Sequence, residues 1–126
     1  MRAVDTNILV RLLTGDDPQQ AIAAERFVAP GAWVSILALA ETIWVLERRY
    51  RLSAMQQADA VDMLLSQAEL TIQDSDAVTT ALNLFRSKPS LGFSDCLMLE
   101  IARKAGHLPL GTFDRRLGSA SGAQKI

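Results

Sequence analysis

The feature that most restricts this chain is a repeated alternation of short apolar segments with longer segments of helical spacing. Residues 2–5 read as a strand running into a helix at 7–13. Gly15-Asp16-Asp17-Pro18 stops that helix and starts another, with Asp17 as its N-cap and Pro18 at the first helical position. Residues 31–36, with Trp33, Val34 and Ile36, read as a second strand, and a long helix follows to Tyr50. Ser53 caps a further helix to about Gln67, 70–73 is a weaker strand, and Asp76 caps a helix that ends before Pro89. Ser94 opens the next helix, Gly106 stops it, and 108–113 is the last clear strand. From about 119 the Ser, Gly and Ala content reads as a loose tail. Strands alternating with helices predict an α/β fold with a parallel sheet sandwiched by helices. In such sheets ligands bind beyond the carboxyl ends of the strands.

A length of 126 residues suits a single domain over 1–126. Apolar residues make up 49% and charged residues 21%, which fits a folded globular chain and not a disordered one. Asp5 and Arg11 interrupt the first fifteen residues, so no uncharged apolar signal-peptide core is expected there. No apolar run is long enough to cross a bilayer. The single cysteine, Cys96, excludes an internal disulfide and a cysteine-built zinc site. The expectation is a soluble cytoplasmic protein. A net charge of −1 weighs against a general nucleic-acid binder. Basic residues do cluster, at Arg48, Arg49 and Arg51, at Arg103 and Lys104, and at Arg115 and Arg116. Arginines that close helices are commonly solvated ends favoured by the helix dipole rather than an RNA track.

Among fourteen acidic residues, context singles out four. Asp5 ends the first strand, before Thr6-Asn7. Glu41 has Leu37, Ala38, Trp44 and Val45 at helical neighbour positions, which predicts a carboxylate within a buried stripe. Such a group is costly unless paired or bound to a metal. Asp95 repeats the pattern near its helix start, with Leu91, Met98 and Leu99, and Asp114 directly follows the last clear strand. If the sheet is parallel, these positions converge at one edge, where four carboxylates would repel without cations. Hard divalent ions with oxygen ligands answer that repulsion and can serve phosphodiester cleavage. A plainer reading stands beside this one, since Asp5, Asp95 and Asp114 each stand where a helix cap stands. Glu100 faces Arg103 and Lys104 and reads as a solvated surface pair. Asp16, Asp17, Asp74 and Asp76 read as turn or cap residues. The lone His107 excludes histidine-pair and Ser-His-Asp chemistry, and no glycine-rich phosphate loop is present.

The ordered motifs resemble those of PIN domains, specifically the VapC toxins of bacterial toxin–antitoxin pairs. Asp5-Thr6-Asn7-Ile8-Leu9-Val10-Arg11 resembles the family's opening, and Val34-Ser35 followed by Glu41-Thr42-Ile43-Trp44-Val45-Leu46 its second motif. Phe93-Ser94-Asp95-Cys96-Leu97 resembles the third and Thr112-Phe113-Asp114-Arg115-Arg116-Leu117 the fourth, with Cys96 where other members often have alanine. The resemblance implies a PIN fold, a central parallel sheet with helices on both sides. It implies Asp5, Glu41, Asp95 and Asp114 as catalytic carboxylates holding one or two Mg²⁺ or Mn²⁺ ions, with Thr6, Asn7, Ser94 and Thr112 in support. It also implies an endoribonuclease acting on structured RNA such as tRNA, a homodimer, and inhibition by a VapB antitoxin whose other end binds operator DNA.

Two other readings remain open at this point. A phosphoacceptor receiver domain would want an acidic pair near the first strand and a lysine after the fifth, neither of which is found. A non-catalytic PIN-like module would normally lack some of the four carboxylates.

Overall fold

Capping residues set the helix boundaries. In the computed structural model, which describes residues 1–126, α1 (Thr6–Thr14) starts where the Asp5 side chain accepts from the Ile8 N–H at 3.1 Å. It ends at Gly15, whose φ of 61° is the left-handed conformation that glycine adopts without a Cβ clash. Asp17 then caps α2 (Pro18–Val28). Ser35 caps α3 (Ile36–Tyr50), and Ser53 caps α4 (Ala54–Ser66) through a reciprocal box with Gln56. Asp16 accepts from the Tyr50 hydroxyl, from Thr14 Oγ1 at 2.9 Å and from Arg11 at 3.0 Å. These bonds, that of Tyr50 above all, hold its carboxyl below the usual carboxylate range.

The chain divides into two compact units, residues 1–75 and 76–126. In the first, β1 (Arg2–Ala3), β2 (Ala32–Val34) and β3 (Leu70–Ile72) form a parallel sheet in the order β1-β2-β3. Ala3 lies opposite Trp33, and Val34 opposite Ile72. Along the chain, α1 and α2 connect β1 to β2, and α3 and α4 connect β2 to β3. Helix α1 packs on α2 and α3, α3 on α4, and α4 on β3. Leu9, Val10, Val34, Leu39, Ile43, Leu46 and Val61 are buried there.

The second unit holds α5 (Ser75–Ser87), which opens at the unit boundary, a 3-10 turn at Pro89–Leu91, and α6 (Phe93–Ala105). Then follow β4 (Leu110–Thr112), α7 (Arg115–Gly118) and β5 (Ala123–Lys125). Phe85 and Phe93 meet edge to face, with ring centroids 5.9 Å apart, beside buried Val78, Leu97 and Leu99.

Every strand pair is parallel, as the alternation predicts, but the pairing forms two ladders, β1-β2-β3 and β4-β5, rather than one. The tail expected to be loose is instead ordered into β5. Ala123-Gln124-Lys125 has no β-branched residue, and its strand is held by backbone pairing with β4, a tertiary effect that overrides propensity. Helix α5 begins at Ser75, so Asp76 lies inside its first turn rather than before it, and pairs with Lys104 at 2.8 Å. No helix is long and apolar enough to cross a membrane.

Candidate active site

The carboxyl ends of β1, β2 and β3 carry Asp5, Ser35 and Gln73. The Val4 N–H donates to the Trp33 carbonyl at 3.1 Å and the Gln73 N–H to the Val34 carbonyl at 2.9 Å, extending the ladder to this edge. Each residue here then closes a helix start. Asp5 caps α1, Ser35 Oγ accepts from the Ala38 N–H at 3.0 Å, and Gln73 Oε1 accepts from the Ile36 N–H at 2.9 Å. Gln73 is a positioning residue the motifs did not single out, because it acts on a helix 37 residues earlier. Asp5 and Asn7 are exposed and line an open cleft of about 380 Å³ with Ile8, Arg11 and Phe27. Thr6 is half-buried as the first residue of α1.

Glu41 stands elsewhere than expected. The buried face of α3 is Ala38, Leu39, Thr42, Ile43 and Leu46, and Glu41 is exposed on another. Leu37 and Trp44, read as the buried stripe around it, are 76% and 51% exposed. The cause is that α3 is apolar on more than one face, so spacing alone does not tell which one packs. Glu41 accepts no hydrogen bond and makes no ion pair, while Arg48 lies over the Trp44 ring at 5.7 Å. Here an exposed carboxylate has Leu37 and Trp44, both open to water, at its helical neighbour positions.

In the second unit, the charge of Asp114 acts on Asp95. Asp95 lies in the first turn of α6 and is half-buried without a hydrogen-bond or ion-pair partner. Burial first, and then the negative charge of Asp114, push its carboxyl above the usual range. Asp114 caps α7 by accepting from the Leu117 N–H at 2.9 Å. Its own N–H donates to Thr112 Oγ1 at 3.0 Å, which fixes the turn out of β4. Ser94 is exposed on the first turn of α6. Phe113, between Thr112 and Asp114, is 80% exposed. As a sequence, that aromatic reads as the end of the last clear strand.

Two neighbours of this pair differ in environment. Cys96 is buried, and burial, with the charges of Asp95 and Glu100, pushes its thiol up to about 11. It is therefore a packing group and not a nucleophile. Glu100, expected on the surface, is buried at 6% exposure and accepts from Arg103 Nε at 3.0 Å. A carboxylate in such a place needs that partner, since an unpaired buried charge is strongly unfavourable.

The PIN domain family matches residues 2–122, across both units. The chain belongs to the PIN domain family. No curated protein sequence matches this PIN domain. Among solved structures it is similar to the Mycobacterium tuberculosis toxin VapC20, described as cleaving the sarcin–ricin loop. The two share 20% identity over 98% of each chain, with a TM-score of 0.45. As a PIN domain, the chain carries Asp5 and Glu41 in its first unit and Asp95 and Asp114 in its second. Within neither unit do three or more His, Cys, Asp or Glu side chains form a group that could hold a metal ion.

Proposed function

We propose that this PIN domain is a divalent-metal-dependent endoribonuclease, the VapC-type toxin of a toxin–antitoxin pair. Asp95 carries the reading. A half-buried carboxylate without a partner, beside a second anion, is unfavourable as it stands and is relieved by a cation. A purely structural aspartate in this position would have a hydrogen bond to show for its burial.

The donor chemistry fits a hard ion. Asp5, Glu41, Asp95 and Asp114 offer carboxylate oxygens, with Thr6, Asn7, Ser94 and Thr112 as hydroxyl or amide support. An all-oxygen set suits Mg²⁺ or Mn²⁺ rather than zinc. Capping does not exclude this role. Asp5 and Asp114 each use Oδ1 toward a backbone N–H, which leaves Oδ2 for a ligand. Mg²⁺ commonly takes only one or two protein carboxylates, completing its shell with water and substrate phosphate. When bound, one or two such ions supply Lewis acidity toward the phosphate and water oxygens of phosphodiester cleavage. The chain's own part is to place and orient its carboxylates. The α1 and α7 caps fix Asp5 and Asp114, and α6 carries Asp95 in its first turn.

The resemblance of the four motifs adds the rest of this reading. The substrate is a structured RNA such as tRNA, the protein is a cytoplasmic homodimer, and a VapB-type antitoxin inhibits it and joins it to operator DNA. Site carboxylates suit an arginine-bearing antitoxin tail that competes with the metal for their oxygens. The test is cleavage of total RNA by the purified protein with Mg²⁺ or Mn²⁺ and with chelator, beside Asp95→Asn. Metal-dependent cutting that Asp95→Asn abolishes is expected. Cutting that survives chelation, or an Asp95→Asn protein as active as the parent, refutes it.

A further inference from the structure

Helix α6 bears Asp95 in its first turn and, one to two turns on, buried Glu100 paired with Arg103, whose side chain reaches the surface. Glu100 holds the Arg103 guanidinium by Nε, and Nη2 of the same group donates to the Ser121 carbonyl at 2.7 Å. Ser121 is where the chain turns into β5. The next residue, Gly122, has a φ of +91°, and a Cβ placed there would lie 2.8 Å from Arg103 Nη2. Its carbonyl accepts from the Leu110 N–H at 2.9 Å, which starts the β4–β5 ladder. At the far end of that ladder the Ile126 N–H donates to the Thr112 carbonyl at 2.9 Å. Thr112 in turn receives the Asp114 N–H on its hydroxyl. Helix α7, which Asp114 caps, lies tightly on β5, since a Cβ on Gly118 would come within 2.7 Å of Lys125 Cβ.

One guanidinium therefore ties the helix that bears Asp95 to the turn into β5, the strand paired with the β4 that leads to Asp114. We propose that Arg103, held in place by buried Glu100, is a positioning residue for the candidate active site. It fixes the β4–α7–β5 segment against α6 and so sets the separation of Asp114 from Asp95. This rests on the reading of those two aspartates as metal-site carboxylates. A planar fork suits the task, because Nε and Nη2 address two acceptors at a fixed angle. A lysine ammonium satisfies either Glu100 or the Ser121 carbonyl with far less directional constraint. Misplacing a catalytic group by about 1 Å can cost on the order of a hundredfold in rate. Losing an outer support of a metal ligand typically costs about 10–100-fold in metal affinity or activity.

The test compares the parent with Arg103→Met, which keeps an apolar stem without donors, with Arg103→Lys, and with Gly122→Ala, which pushes on the guanidinium from the tail side. Circular dichroism establishes that each is folded, Mn²⁺ affinity is read from free Mn²⁺ by EPR, and RNA cleavage is resolved into kcat and KM. Arg103→Met is expected to weaken Mn²⁺ binding and lower kcat, each by about tenfold or more, with KM within about twofold of the parent. Arg103→Lys is expected to recover part of both losses, and Gly122→Ala to shift both in the same direction as Arg103→Met. A merely structural arginine lowers thermal stability and leaves the metal affinity and kcat of the folded protein unchanged. That outcome in Arg103→Met, or in Gly122→Ala should Arg103→Met not fold, overturns the proposal while an active parent upholds the ribonuclease reading. A parent that neither cuts RNA nor binds Mn²⁺ overturns both.

Discussion

Replacing Asp95 by asparagine removes a charge while keeping the side chain's size, and the structure fixes the sign of the result. Asp95 accepts no hydrogen bond, so no cap is lost. Its carboxyl ionises less readily in the folded protein than in the unfolded chain, because of burial and then Asp114. Ionisation therefore costs the fold stability at every pH above the raised value. That penalty fades as pH falls through the folded value toward the unfolded one, where the carboxyl is protonated in both states. Without metal, Asp95→Asn should melt at or above the parent at pH 7, and the difference should close as pH enters the carboxylate range. Metal acts in the opposite sense. An ion that binds only the folded state adds about 2.7 kcal/mol at a hundredfold excess over Kd. With an unfolding entropy of about 2.1 cal/mol/K per residue, a chain of 126 residues should gain roughly 10 °C from that binding. Thermal melts of both proteins at pH 7 and near pH 4, with and without Mn²⁺, measure all of this. The parent should rise with Mn²⁺ at pH 7, and Asp95→Asn should rise much less. A parent unmoved by millimolar Mn²⁺, together with an Asp95→Asn protein that melts clearly lower than the parent, refutes the reasoning and returns Asp95 to a structural role.

Other outcomes follow from single environments. Glu41→Gln should leave the unfolding free energy within about 0.5 kcal/mol of the parent's, because Glu41 is exposed and unpaired. The same variant should lose RNA cleavage, and parent-level cutting would remove Glu41 from the site. Cys96 should resist an aromatic disulfide reagent at pH 8 until the protein is unfolded, given its burial and a thiol pushed up to about 11. Rapid labelling of the native protein would contradict that packing. Phe85→Ala should cost about 3–5 kcal/mol in urea melts, since the ring is 2% exposed and meets Phe93 edge on.

The parts of the fold written in local chemistry were legible. Gly15, Asp17-Pro18 and Ser53 mark boundaries because caps act over three or four residues, within reach of a sequence reading. The alternation behind the parallel strands is equally local. What escaped depends on contacts between distant segments. Strand β5 exists through β4, and Glu100 is buried in a pair whose arginine reaches Ser121, so neither is written in its neighbours. Glu41 shows a different limit. Its helical neighbours are apolar, as read, but Leu37 and Trp44 face water, and periodicity does not distinguish a buried apolar face from an exposed one. At the candidate site, the pairing of Asp95 with Asp114 across their separate motifs followed from both standing in the ordered set. Gln73, closing α3 from another strand, left no comparable mark.

That Asp5 and Asp114 serve as N-caps has a practical consequence for anyone dissecting this chain by substitution. An alanine at either position removes a charge and also strands a backbone donor, of Ile8 or of Leu117. Losing a cap typically costs about 1 kcal/mol. Inactivity in such a variant would mix two causes, a missing ligand and a frayed helix start. Asparagine removes the charge while keeping an oxygen on the same donor, and it ranks with aspartate as a cap. Glu41 and Asp95 carry no such second duty. A scan with one uniform replacement would therefore weigh the four acids on different scales, inflating two of them.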